Sequence, residues 1–399
     1  MNEFYSTNFK DKKVILRLDL NTPLYLENGV VSIADDSRII ASMPTIEKLV
    51  GDGAKILIIS HLGRPTGFKD SDTLSLDPIA KYIDKLLDTK VFFYRKSKID
   101  DPIVSKKIND LKRGEIFIFE NIRFYKEETM GDKGFAKKLS KYGEVYINDA
   151  FGTSHRNHAS TSIIASFIKN KYFGLLLEKE ILAIERALKN PKRALTAIIG
   201  GAKVSSKIDI ISNLVGHVDN LIIGGGMAYT FIKAQGGKIG LSICEKNKIE
   251  TAKRIIDSSI SSGTKLILPV DSVNSKSLAS KDIMCSDIFD IPNDYMGLDI
   301  GPKTCEIIAN TIRLSKTIIW NGPMGVFEKV DFQNGTKLVG LEIAKSTQKG
   351  SYSLIGGGDS IAAVKLLNLY SGISYISTGG GALLDVLAGK SLPGIKAIQ

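Results

Sequence analysis

The chain has 399 residues, 54 Lys and Arg against 43 Asp and Glu, and a net charge of +11, a length that suggests two domains at roughly 100–200 residues each. With 43% hydrophobic and 24% charged residues, it is neither disordered nor fibrous. No signal-peptide core opens it, no apolar run approaches the ~20 residues of a membrane span, and Cys244, Cys285 and Cys305 are too scattered for a disulfide frame or a zinc site, so a cytoplasmic, reducing setting is expected.

In chain order, apolar β-branched runs recur at VILRL (14–18), KILIIS (55–60), VFFY (91–94), EIFIF (115–119) and EVYIN (144–148). Helical patterns lie between several of them, among them IIASMPTIEKLV (39–50) and PIAKYIDKLL (78–87). A long helical pattern, GLLLEKEILAIERALK (174–189), stops just before Pro191. A second series follows: ALTAIIG (194–200), NLIIGG (220–225), KLILP (265–269), KTIIW (316–320) and SYSLIG (351–356). Continuous apolar runs mark strands buried on both faces of a parallel sheet, and their alternation with helices predicts right-handed βαβ units. The expected fold class is α/β, with two doubly wound parallel-sheet domains joined by a long interdomain helix. The expected boundaries are 1–173, the helix at 174–189, and 190–390.

The charge of +11 suits either a nucleic-acid or membrane surface or an enzyme for anionic small molecules. It divides into +4 over residues 1–170 and +7 over 171–399, with no basic run of the kind that marks a nucleic-acid patch.

Four glycine clusters lie in the second series: Gly200-Gly201, Gly224–Gly226, Gly356–Gly358 and Gly379–Gly381. Most follow a strand directly, where open α/β sheets bind ligands and glycine lets the backbone approach a phosphate. Tight turns packed for geometric reasons are the alternative. No G-x-G-x-x-G follows a strand, and the ending Gly389-Lys390-Ser391 lacks the leading glycine of a P-loop, since position 384 is Leu384. Lys203 and Lys207, four apart after the first cluster, are read as sharing a helix face near a bound anion, or as two solvated lysines. Asp359, after Gly358, is a Mg²⁺ carboxylate or a helix N-cap.

In the first series the telling residues are Arg17, Arg38, Arg64, Arg123 and Arg156, with His61, His155 and His158, all at strand ends or in loops. Guanidinium forks pair with phosphate and carboxylate, so such a set could converge on a small, doubly anionic substrate. The spacing His155-x-x-His158 has no acidic or Cys neighbours that would favour metal. Asp19 and Asn21 alternate to one face as acceptors for substrate hydroxyls, or Asp19 caps the strand edge. His217 is read as structural or exposed.

These stretches together resemble the phosphoglycerate kinase family along almost the whole chain. RLDLNTP (17–23), DDSRI (35–39), SHLGRP (60–65), ENIRFYKEE (120–128), NDAFGTSHRNHAS (148–160), GGAKVSSKI (200–208), GGGMAYTF (224–231), GLDIGPKT (297–304), WNGPMGVFE (320–328), GGGDS (356–360) and STGGGA (377–382) occur in order. The resemblance implies a glycolytic kinase that transfers a phosphoryl group reversibly between ATP and the carboxylate of 3-phosphoglycerate, giving ADP and 1,3-bisphosphoglycerate. It implies a phosphoglycerate site at Asp19, Asn21, Arg38, His61, Leu62, Gly63, Arg64, Arg123 and Arg156. It implies a nucleotide site at Gly201, Ala202, Lys203, Lys207, Gly297, Leu298, Asn321, Pro323, Val326, Glu328, Gly357, Gly358, Asp359 and Ser360, with Mg²⁺ on Asp359. It further implies a monomer without nucleic-acid or membrane partners, residues 391–399 folded back on the first domain, and closure of the two domains about the helix. VDSVNSKS (270–277), Ser154 and the pI of 9.2 depart from the family's usual pattern.

A carboxylate nucleophile is already ionised at neutral pH and needs no general base. Catalysis then rests on positioning and on cations around the transferring group, with Arg38 and Lys203 expected in that role. The alternatives are a phosphotransferase for another small phosphorylated acid and a non-enzymatic nucleic-acid binder whose affinity falls steeply with salt.

Overall fold

The computed structural model describes residues 3–27, 29–95 and 98–399, apart from the side chain of residue 30. They form two compact units, one of residues 1–181 with 391–399, the other of residues 182–390. The fold class is the expected one, with a six-stranded parallel sheet in each unit.

In the first unit the strands run, across the sheet, Val91–Phe93, Ile116–Ile118, Lys55–Ile59, Lys13–Leu18, Val145–Asp149 and Asn170–Phe173. Ile15 stands beside Leu57 on one side and Tyr146 on the other. Successive side chains enter opposite cores, as period-2 geometry requires. Val14, Leu16 and Leu18 join Ile39, Ile46 and Leu49 of the helix Ser37–Asp52. Ile15, Leu57, Phe117 and Tyr146 join Phe135 and Leu139 on the other face. Both faces are therefore dry, which is why these strands read as unbroken apolar runs. Each fully buried aliphatic side chain stabilises the sheet by about 1.5–3 kcal/mol. Residues 391–399 complete this unit: Gly394 N donates to Ser154 O (2.8 Å), Asn148 Nδ2 to Gly394 O (3.1 Å) and Lys171 Nζ to Ala397 O (2.6 Å).

In the second unit the order is Lys265–Ile267, Asn220–Ile223, Leu195–Ile199, Thr317–Asn321, Tyr352–Ile355 and Tyr375–Ile376. Between its third and fourth strands the chain makes an antiparallel sheet from Asp271–Ser275, Ile283–Asp287 and Met296–Ile300. Trp320 is fully buried under Ile308 and Ile312 of the helix Pro302–Leu314 and Val339 and Ile343 of the helix Asn334–Gln348.

Strand order reverses in both sheets, between Lys13–Leu18 and Val145–Asp149 in one and between Leu195–Ile199 and Thr317–Asn321 in the other. Crevices for ligands open at the carboxyl ends of strands at such reversals. The helix Leu175–Leu188 starts in the first unit, where Leu177 N donates to Asp149 Oδ1 (2.9 Å), and ends in the second, where Tyr352 Oη donates to Ala183 O (3.2 Å). No helix among the described residues is long and apolar enough to cross a membrane.

Candidate active site

At the reversal in the first unit, loops leaving four strands bring polar side chains together. Asp19 follows the strand Lys13–Leu18, and its carboxylate receives Arg38 Nη1, from the first turn of the helix Ser37–Asp52. His61 Nδ1 lies 3.9 Å from the other oxygen of Asp19. Asn21 Oδ1 accepts from Gly63 N (2.7 Å), fixing the loop of Leu62, Gly63 and the exposed Arg64. Arg123, in the short turn Ile122–Phe124, donates through Nη1 to Gly63 O (2.7 Å). Arg156 follows the turn Phe151–Thr153.

This cluster is strongly cationic. His61 is buried, and its pKa is held well below 6.5, first by burial and then by Arg17, Arg123, Arg38 and Arg156, so it is neutral near pH 7. Burial, then Arg17 and Arg156, lower the pKa of Arg123 to about 10, still a cation at neutral pH. Its Nε is buried with no hydrogen-bond partner among the described residues. An orphaned donor within a set of guanidiniums is what an absent anionic acceptor leaves behind.

Arg17 differs from the sequence reading. It is fully buried, with Nε on Ser160 Oγ (2.8 Å) and Nη1 on Leu18 O, so it supports the cluster from beneath. His217 is exposed, with Nδ1 at 2.6 Å from Asn213 O. Among the described residues no group of three His, Cys, Asp or Glu side chains could hold a metal, the pair His155 and His158 included.

His158 sets a pH dependence. Burial and then Arg123 lower its pKa to about 4. The unfolded chain therefore takes up this proton first, so the stability linked to His158 is full above pH 6.5 and is lost as pH falls toward 4. Urea unfolding of the protein and of His158→Gln should show a wild-type advantage that shrinks on going from pH 7 to about 5. A pH-independent difference would contradict it.

In the second unit a cavity of about 490 Å³ opens at the reversal. Of the residues the sequence assigns to nucleotide, Gly201, Ala202, Gly297, Leu298, Pro323, Val326, Glu328 and Asp359 line it. Gly225 and Gly226 line it as well, whereas Gly379–Gly381 do not. Close packing of turns also explains the glycines: a Cβ on Gly200 would lie 2.1 Å from Pro323 O, and one on Gly322 2.2 Å from Gly200 O. The close-packing reading therefore holds for these two turns.

Lys207, Asn321, Gly357 and Ser360 form a layer beside the cavity rather than its wall. Lys207 Nζ donates to Asn321 Oδ1, Asn321 Nδ2 to Gly356 O (2.5 Å), and Gly322 N to Ser360 Oγ (2.6 Å). Burial lowers the pKa of Lys207 to about 8, and Asp359 opposes that shift. Lys203 and Gly358 are exposed and are likewise not in the wall.

The helix expected to align Lys203 with Lys207 is absent. Lys203 is extended (φ −126°, ψ 129°) before a short turn, Val204–Ser206, and the helix Ile208–Leu214 begins only after Lys207. Ser205 gives its N and Oγ to Glu245 (2.9 and 2.6 Å), and Ser206 Oγ donates to Lys203 O (2.7 Å). Serine side chains that bond locally compete with the helical ladder. Asp359 lies in the first turn of the helix Gly358–Leu366, where Gly357 is the N-cap, so the N-cap alternative does not hold.

The family model described as phosphoglycerate kinase matches residues 4–390. The chain belongs to the phosphoglycerate kinase family. It is 45% identical over 391 residues to the phosphoglycerate kinase of Clostridium novyi (strain NT), covering 98% of this chain and 96% of that one. It is 46% identical over 397 residues to that of Dictyoglomus turgidum (strain DSM 6724 / Z-1310), with the same coverages. Among solved structures it is similar to phosphoglycerate kinase from Coxiella burnetii, with a TM-score of 0.89 and 37% identity over 99% of this chain and 97% of that one.

Around these residues the structure adds others that the sequence does not single out. Gly152 is one such residue, because a Cβ there would lie 2.2 Å from Asp19 Oδ2 and break into the pair with Arg38. Asn121 is another: its Oδ1 accepts from Leu62 N and Arg123 N (both 3.1 Å), tying two loops together. In the cavity, Tyr229, Leu241, Ile243 and Phe327 supply apolar wall. Gly152, Asn121, Tyr229 and Phe327 all fall inside the matching motifs, which was the available signal.

Asp359 fits a magnesium site of the kind a nucleotide brings. Mg²⁺ is commonly bound through one or two carboxylates plus substrate phosphates. Asp359 is exposed, faces the cavity and sits beside a glycine turn, and no protein-only metal cage is present among the described residues.

Proposed function

We propose that the arginine cluster of the first unit holds 3-phosphoglycerate and that the cavity of the second holds the nucleotide. The family's reaction, reversible phosphoryl transfer between ATP and the carboxylate of 3-phosphoglycerate, then joins these two substrates. The observation that carries the reading is the set of guanidiniums around a neutral His61, with the Nε of Arg123 orphaned.

In this proposal Arg64, Arg123 and Arg156 hold the phosphate and carboxylate charges, and Asp19 and Asn21 orient the hydroxyl. Neutral His61 adds a hydrogen bond without repelling its guanidinium neighbours. On the other unit, the glycine turns approach the phosphates, the apolar wall takes the base, and Glu328 meets the ribose. Lys207, lowered to about pKa 8, regains its proton affinity when phosphate arrives beside it. Arg38 and Lys203 are assigned to the two sides of the transferring group, where charge builds on its equatorial oxygens. Asp359 would hold Mg²⁺, which when bound neutralises phosphate charge. The attacking carboxylate is ionised from the outset, so no side chain needs to remove a proton.

The test is turnover of 3-phosphoglycerate with ATP and Mg²⁺ in a coupled assay, with other small phosphorylated acids as competitors. Turnover of 3-phosphoglycerate in preference to those acids is expected. Folded protein that leaves 3-phosphoglycerate unchanged, or prefers another acid, would overturn the reading.

A further inference from the structure

Away from the nucleotide cavity, and sharing no lining residue with it, the second unit carries two adjoining hollows. The larger, of about 600 Å³, lies where the helices Pro302–Leu314 and Asn334–Gln348 meet the antiparallel strands. Its wall is mostly apolar: Val273, Ile300, Cys305, Ala309, Leu338 and Leu341. The smaller, of about 400 Å³, is polar, and Arg313, Lys316, Lys345 and Lys349 line it against the single carboxylate of Glu342. Arg313, Glu342 and Lys345 line both, so the two hollows adjoin at these side chains.

Glu342 is already engaged, accepting from Arg313 Nε and Lys345 Nζ (both 2.8 Å). Lys316 and Lys349 are exposed and make no ion pair among the described residues. An apolar hollow of ligand size, with Glu306 and Lys337 also in its wall, thus lies beside a polar one in which Arg313, Lys316, Lys345 and Lys349 outnumber Glu342. Pockets of about 300–1,000 Å³ with apolar walls and a few placed polar groups are the usual form of a small-molecule site.

We propose that this double hollow is a binding site for a single-chain amphiphile with a phosphate head. The chain enters between the two helices and the head meets Arg313, Lys316, Lys345 and Lys349. Four cations against one carboxylate suit a dianionic head better than a monocarboxylate. Residues neighbouring its wall bond toward the second unit's other cavity: beside Ile300, Asp299 accepts from Gly335 N (2.8 Å), and Met324 N, at that cavity, donates to Thr336 Oγ1 (3.0 Å).

Trp320, the only tryptophan, packs beneath both helices and reports on them without labelling. Decyl phosphate, below its micellar concentration, should change Trp320 emission saturably in the full-length chain. Inorganic phosphate and neutral decyl maltoside should bind at least about tenfold more weakly. Ala309→Phe, which fills the apolar hollow, and the double variant Lys316→Glu/Lys349→Glu should each weaken decyl phosphate by about tenfold or more while leaving turnover unchanged. The charge variant lies on the surface, so it keeps the test alive if Ala309→Phe does not fold. No saturable binding, equal affinity for inorganic phosphate or decyl maltoside, or affinity unchanged in the folded variants would overturn the proposal.

Discussion

Arg38→Ala should lower kcat by about two to three orders of magnitude, the usual cost of removing one preorganised donor from a transition state's developing charge. The KM for nucleotide should stay within about twofold, because Arg38 belongs to the arginine cluster of the first unit and no residue of that cluster lines the cavity of the second, proposed for the nucleotide. The fold should survive: Asp19 keeps the backbone N–H of Asn21 at 3.3 Å and His61 at 3.9 Å. Arg38→Lys should fall between the two, since an ammonium keeps the charge but not the planar fork. The coupled assay decides the matter, and a near-normal kcat for Arg38→Ala would remove the residue from the chemistry.

Gly297→Ala should act on the other substrate. Gly297 lies in the strand Met296–Ile300 at the wall of the second unit's cavity, proposed for the nucleotide, with its N–H on Ser242 Oγ (2.8 Å). An added Cβ would sit 1.9 Å from Tyr229 Oη and 2.6 Å from Ser272 Oγ, two hydroxyls already bonded to each other at 2.8 Å. Neither can yield easily, because both residues are buried, and overpacking of this kind costs about 1–3 kcal/mol. The displaced wall should raise the nucleotide KM about tenfold or more, read by initial rates against ATP concentration, with the phosphoglycerate KM little changed. An unaltered nucleotide KM would show that the wall does not shape the site.

Both sheets were legible in the sequence where physics makes strands conspicuous. Ten of their strands carry a run of apolar residues, and the expected segments fall on them within a residue or two. The edge strands Asn170–Phe173 and Tyr375–Ile376 were not legible: one is short and polar at its start, the other two residues long. The antiparallel strands escaped for a different reason. DSVNS and IMCSD carry serine, asparagine and aspartate where a parallel core strand carries valine and isoleucine, and the buried Asn274 gives Nδ2 to Ser286 Oγ (2.9 Å) and Ser272 O (3.1 Å).

At the candidate site, charged residues were legible because arginine and histidine at strand ends are conspicuous. Leu241 and Ile243 were not, since an apolar residue lining a cavity reads like one in a core, and Tyr229 carried only the signal of its motif. Glycines acting through the space they leave, such as Gly152, carry no signal beyond the motif around them. The lysine pair shows the limit of spacing arguments: an interval of four residues implies a shared face only if the helix exists, and Ser205 and Ser206 prevent it.

The last nine residues complete the first unit, through Gly394 on Ser154 and Asn148, although the whole second unit intervenes in the chain. Synthesis on the ribosome is vectorial, so the second unit emerges entire while the first still lacks its closing segment. A nascent chain stopped at residue 390 should therefore display a protease-resistant second unit beside a more readily cleaved first one. A Cβ on Gly394 would lie 2.9 Å from Ser154 Cα, so seating this segment requires a close backbone approach as well as the packing of Leu392 and Ile398.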